Sequence, residues 1–98
     1  MKIIIGAPGS GKTKEILKMS AEKNIPILCE SADRATRLLI KSQGYGYKIP
    51  TPIIYSEAKA TDVVFVDDVE RLLNAMLPCK VETITYNVEA KDDIISLA

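Results

Sequence analysis

The chain sets Gly6-Ala7-Pro8-Gly9-Ser10-Gly11-Lys12-Thr13 between an apolar run and an amphipathic one, and this stretch restricts the possible folds more than any other feature. Lys2-Ile3-Ile4-Ile5 before it reads as a short buried strand, and the residues from Thr13 onward carry helical spacing. A strand that turns through glycines directly into a helix is a strand-loop-helix unit. Glycine opens backbone conformations closed to other residues, so successive N–H groups turn inward and form an anion-sized concavity. The helix beyond adds its dipole and its unpaired N-terminal amides.

The same stretch fits Gly-x-x-x-x-Gly-Lys-Ser/Thr at every fixed position, the pattern of a loop that cradles nucleotide phosphates. On that reading Gly6, Ala7, Pro8, Gly9, Ser10 and Gly11 surround the phosphates. Lys12 sets its ammonium beside the β and γ phosphates, and the Thr13 hydroxyl ligates the Mg²⁺ that bridges them. The competing reading is a glycine-rich turn that happens to end in Lys-Thr. The strand before it and the helix after it count against chance.

Downstream, Val63-Val64-Phe65-Val66 is a continuous apolar run ending in Asp67-Asp68, the form of a central parallel strand that delivers carboxylates to its C-terminal end. That end is where phosphates bind in open α/β sheets. Asp67 is then a second holder of the Mg²⁺, through a water, and Asp68 orients or deprotonates an attacking water. The plainer reading makes one of the two the N-cap of a helix, since Val69, Leu72, Leu73 and Met76 follow at helical spacing. Both readings hold if the two carboxylates divide the roles.

At 98 residues the chain makes one domain, residues 1–98, near the lower limit for such a sheet. The 13 basic and 13 acidic side chains cancel, which argues against a strong electrostatic nucleic-acid binder. No apolar stretch approaches the roughly 20 residues that span a bilayer, and the first strand is too short for a signal peptide, so a cytoplasmic protein is expected. Cys29 and Cys79 stand apart with no histidine to complete a zinc site and read as reduced packing residues.

Between the two motifs, Ile16, Leu17, Ser20 and Ala21 carry the first helix to Asn24, and Ile25 to Cys29 reads as a second buried strand with Pro26 at its start. Ser31 caps a second helix with Ala32, Ala35, Leu38 and Leu39 inward, ended by Gly44. Residues 42–52 are the most loop-like, and Ile53-Ile54-Tyr55 adds a short strand. Pro78 breaks the third helix, and Val81 to Val88 reads as a last strand.

With these motifs in place, the chain resembles the P-loop NTPases, as a small, truncated member closest to the division of RecA-like, AAA-type and helicase ATPases. The resemblance rests on the second acid, Asp68, where that division usually carries Glu, and on a strand after Asp67 whose polar end puts Asn87 at a position that senses the γ phosphate. It rests also on the lack of an arginine-bearing lid of the kind kinases use. It implies an α/β fold, a three-layer sandwich built on a mainly parallel sheet of four to five strands flanked by helices. It implies ATP rather than GTP, with Mg²⁺, slow or partner-stimulated hydrolysis, and possible work in DNA processing. The division's usual fifth core strand, later sensor and arginine finger are not found before Ala98. Arg34, Arg37 and Arg71 fall on predicted helices away from the loop.

In that division's strand order the first strand would lie at the sheet edge, where an apolar strand invites aggregation. Its cover would be the tail Ala90 to Ala98 or a second copy, hence an expected homo-oligomer or partner protein. A kinase-like order would instead set the first strand beside the one ending at Asp67. Two functions of other classes compete: a nucleotide-dependent interaction module without hydrolysis, and a small phosphotransferase, for which no acceptor pocket is visible. Tyr45, Tyr47 and Lys48 could stack on bases or grip phosphate, as single-strand-binding surfaces do, though tyrosines beside glycines in a loop are more often packing.

Overall fold

Ile3–Gly6 forms β1 and Lys12–Lys23 forms α1 in the computed structural model, which describes residues 1–97. There follow β2 (Ile27–Cys29), α2 (Ala32–Gly44), β3 (Ile53–Ile54), β4 (Phe65–Val66), α3 (Val69–Met76) and β5 (Ile94–Leu97), with short 3-10 turns at Tyr55–Ala60 and Lys91–Asp93. The result is a small α/β domain of short parallel sheets and helices.

Helix boundaries follow local chemistry. Asn24 ends α1 in the left-handed conformation that Asn tolerates well, its N–H returning to the Ser20 carbonyl. Ser20 is fully buried, and its hydroxyl donates to the Ile25 carbonyl at 2.6 Å, so no polar group is stranded there. The Ser31 hydroxyl accepts the Arg34 amide at 3.1 Å and opens α2. Tyr47, three residues beyond the end of α2, returns its amide to the Ser42 carbonyl at 2.8 Å and packs against the core. Its ring belongs to the fold; Tyr45 is exposed, with the Lys14 ammonium 5.2 Å from its ring centre.

The core is built around β2. Ile16 and Leu17 of α1, Ile27 and Cys29 of β2 and Leu38 of α2 form one buried cluster, flanked by Ala35, Tyr47, Ile49 and Phe65. Fully burying Leu17 or Leu38 contributes about 1.5–3 kcal/mol each. The cluster is small. The usual size scaling gives about 5,500 Å² of exposed surface for a chain this long, and this one exposes 7079 Å².

The strands fall into two sheets, ordered β3-β2-β4 and β1-β5, so the single sheet of four to five strands is not formed among the described residues. One expectation about the C-terminal third needs correction. Val81 to Val88 forms no ladder; Val81–Ile84 share a shallow hollow of about 160 Å³ with Val69, Glu70 and Leu73 of α3. The strand forms instead at Ile94–Leu97, which pairs in parallel with β1, Ile3 opposite Ile94 and Gly6 opposite Leu97. The reason is competition for an edge: a strand exists only where a partner accepts its hydrogen bonds, and the apolar tail holds the β1 edge. That tail was one of the two covers expected for β1; Ala98 lies outside the described residues. Further upstream only Phe65 and Val66 of the Val63–Val66 run are in the ladder, and Val63 is exposed.

Cys29 and Cys79 part ways. Burial pushes the Cys29 thiol pKa up, and its Sγ donates weakly to the Ser31 and Ile53 carbonyls. Cys79 is exposed, against the expectation of packing, because Pro78 follows the end of α3 and the chain there carries no element to pack on. A thiol reagent at neutral pH is expected to add one label, at Cys79, to the folded protein and two in denaturant. Mass spectrometry checks this, and labelling of Cys29 without denaturant would mean that β2 opens.

Candidate functional site

The loop between β1 and α1 is shaped by backbone geometry. Gly9 and Gly11 take φ values of 79° and 95°, a region closed to most side chains, and the Ser10 amide closes a turn onto the Ala7 carbonyl at 3.1 Å. Gly11 caps α1 with no side-chain hydrogen bond, so the first-turn amides keep their donors for an outside acceptor. Lys12 Nζ donates to the Gly6 and Ala7 carbonyls, both at 2.7 Å, with Ser10 Oγ at 3.4 Å. The ammonium therefore straddles the loop it follows, and no carboxylate pairs with it among the described residues.

Asp67 reaches this loop through sheet register. Ile27 lies opposite Phe65 and Leu28 opposite Val66, which puts Asp67 just past the C-terminal end of β4. Its carboxylate, 7% exposed, accepts the Thr13 hydroxyl at 3.2 Å to Oδ2 and 3.3 Å to Oδ1. Two residues 54 positions apart are thus brought together by the fold.

A third side chain completes the cluster. Arg34 Nη2 lies 2.7 Å from the same Oδ2, in an ion pair whose arginine is 15% exposed. This corrects the expectation that all three arginines lie away from the loop. Ser31 starts α2 two residues after β2 ends, so the first turn of the helix overhangs the ends of β2 and its neighbour β4. The cap at Ser31 directly after a buried strand was the available signal; what the sequence does not carry is that β4 lies beside β2. Arg37 pairs with Asp33 on its own exposed helix face, and Arg71 with Asp68.

The two acids divide their roles. Asp68, at φ 64°, caps α3 by accepting the Arg71 amide at 3.2 Å, with Arg71 Nε 3.5 Å from its other oxygen. Its carboxylate serves the helix. Asn87 is exposed in the segment that forms no strand, so the strand-end position expected of it is absent.

Thr13 and Asp67 offer hard oxygen donors. That fits Mg²⁺, which keeps several waters and takes one or two carboxylates plus phosphate oxygens rather than an all-protein cage. Among the described residues no group of three or more His, Cys, Asp or Glu gathers to hold a metal alone. The buried Nε of Arg34 has no hydrogen-bond partner, an unmet donor beside the same carboxylate. Hollows of about 310 Å³ near Asn74 to Lys80 and about 160 Å³ along α3 lie away from the loop. No helix is long and apolar enough to cross a membrane among the described residues. Comparison with family models, with curated proteins and with solved structures gives no match to this chain.

Proposed function

We propose that this chain is a P-loop protein of the RecA, AAA and helicase type that binds Mg-ATP and hydrolyses it slowly or under stimulation by a partner. The observation that carries the reading is the Thr13–Asp67 contact. Each residue is assigned to the metal by a separate local pattern, and the two side chains meet at 3.2 Å. In this reading the loop amides and Lys12 donate to phosphate oxygens, and Thr13 and Asp67 present oxygen to the metal's inner and outer shells. Bound Mg²⁺ would neutralise charge on the phosphate oxygens. Asp68 would orient a water after giving up part of its hold on α3.

Strand order supports this division over the kinases, because β1 pairs with β5 and has no ladder with β4 among the described residues. We extend the proposal to the sheet: residues 81–88, alternating and without a ladder, join β1 to β4 when nucleotide binds, which would complete the sandwich. A homo-oligomer or protein partner is supported by the large exposed surface and by Ile5, 45% exposed on β1.

The test is calorimetric titration of Mg-ATP with parallel phosphate release, with and without single-stranded DNA. Lys12→Ala is expected to weaken binding by about 100-fold or more, since it removes a charge-assisted contact to phosphate. Asp68→Ala should stop release and spare binding. Amide exchange across 81–88 should slow when nucleotide is added; unchanged exchange would refute the sheet extension alone. Wild type that binds no nucleotide would refute the whole reading. A non-hydrolysing, nucleotide-dependent interaction module is the second reading, favoured by the engagement of Asp68 with Arg71, and binding without release would select it.

A further inference from the structure

Taking the loop as the nucleotide site proposed above, we propose that Arg34 is the residue by which the site tells a nucleoside triphosphate from a diphosphate. Its guanidinium rests on Asp67 in the nucleotide-free chain and moves to the terminal phosphate when one is present.

The placement starts from one oxygen atom. Asp67 Oδ2 accepts both the Thr13 hydroxyl, at 3.2 Å, and Arg34 Nη2, at 2.7 Å. The guanidinium therefore sits one atom away from the hydroxyl assigned to the metal and the outer phosphates. A carboxylate only 7% exposed cannot hold a guanidinium and a hydrated divalent cation at the same oxygen without strong repulsion between the two. Loading the site requires Arg34 to yield, and the nearest anion to receive it is the end of the phosphate chain.

The state of the guanidinium agrees. Its Nε is buried and unpartnered, an expensive condition for a cationic donor. Arginine presents its N–H groups as a planar fork that grips an oxyanion through two donors at once. A phosphate approaching the Nε edge would satisfy the unmet donor as it replaces the carboxylate. The motion needed is confined to the side chain, because the Arg34 amide is fixed by the Ser31 cap.

The other two arginines are committed elsewhere, and Lys12 already belongs to the loop. Lys12 is bound to the loop carbonyls, and Arg37 and Arg71 pair within their own helices. Mg-ADP displaces Arg34 from Asp67 in the same way but offers it no terminal phosphate, so the guanidinium loses its anion and gains none.

The test compares Mg-ATP and Mg-ADP affinities by calorimetry for wild type, Arg34→Met and Arg34→Lys, with the melting temperature of each free protein. Wild type should prefer ATP by about tenfold or more, the scale of one charge-assisted phosphate contact. Arg34→Met should bring the two nucleotides within about threefold of each other, through loss of ATP affinity and relief of ADP binding, with Arg34→Lys between, because an ammonium lacks the fork. Arg34→Lys carries the comparison if Arg34→Met does not fold. An unchanged ratio in the variants, or equal loss for both nucleotides, overturns the role of Arg34 and leaves the nucleotide site standing. Failure of wild type to bind either nucleotide overturns both.

Discussion

Asp67→Ala is expected to destabilise the nucleotide-free chain by about 3 kcal/mol, the low end for breaking a buried ion pair because Arg34 keeps some solvent contact. The loss comes from what remains rather than from the bond removed. Without Asp67 the Arg34 guanidinium is left 15% exposed with its Nε already unmet, and the Thr13 hydroxyl loses its acceptor. For a domain of this size that corresponds to a fall in melting temperature of about 12 to 24 °C. Removing both charges should behave differently: Asp67→Leu with Arg34→Met should recover most of the loss, because an apolar pair of similar volume often replaces a buried ion pair without cost. A double-mutant cycle closed with the single variants Asp67→Leu and Arg34→Met, by thermal or urea denaturation, would then give a coupling of about 2 kcal/mol. A cost below about 1 kcal/mol for Asp67→Ala would put the pair with weak surface ion pairs, and the burial argument would fail.

That cluster also marks the limit of what the sequence reveals. The first strand, the glycine loop and the first helix are legible because each is decided within a few residues: glycine geometry, apolar spacing and a helix start are local. Thr13 and Asp67 are legible for the same reason, each from its own pattern, and the caps at Ser31 and Asp68 follow from short-range side-chain to backbone bonds. Arg34 is not legible in this way. Its partner lies 33 residues away, and their meeting depends on β4 pairing with β2. Sheet membership fails similarly. Val81 to Val88 has the alternation of a strand and no ladder, whereas Ile94–Leu97, read as a tail, supplies the pairing strand. Strand propensity describes a surface that fits a sheet, and which segment wins an edge is a tertiary competition that alternation does not report. Cys79 repeats the point: an apolar neighbourhood in sequence does not bury a residue whose segment has nothing to pack on.

The glycines of the loop separate fold from binding in a second experiment. Gly6→Ala should be the costly one, although Gly6 is not among the glycines with positive φ. A Cβ there would stand 2.3 Å from Ser10 Oγ and 2.9 Å from the Leu97 carbonyl oxygen. The serine hydroxyl can rotate away. The carbonyl is backbone of β5, held opposite Gly6 by the ladder, so relief requires β5 to move off β1. Overpacking of this kind costs about 1–3 kcal/mol, and here the top of that range is expected because the displaced strand is the only partner β1 has among the described residues. Gly9→Ala and Gly11→Ala meet nothing within 4 Å and lose only the preference of glycine for positive φ, about 1–2 kcal/mol. The order of stabilities by urea denaturation should therefore be wild type, then Gly9→Ala and Gly11→Ala, then Gly6→Ala. In Gly6→Ala the amides of Ile94–Leu97 should also exchange faster. If Gly6→Ala proves as stable as wild type while those amides stay protected, the β1–β5 pairing cannot be as close as the Gly6–Leu97 contact requires.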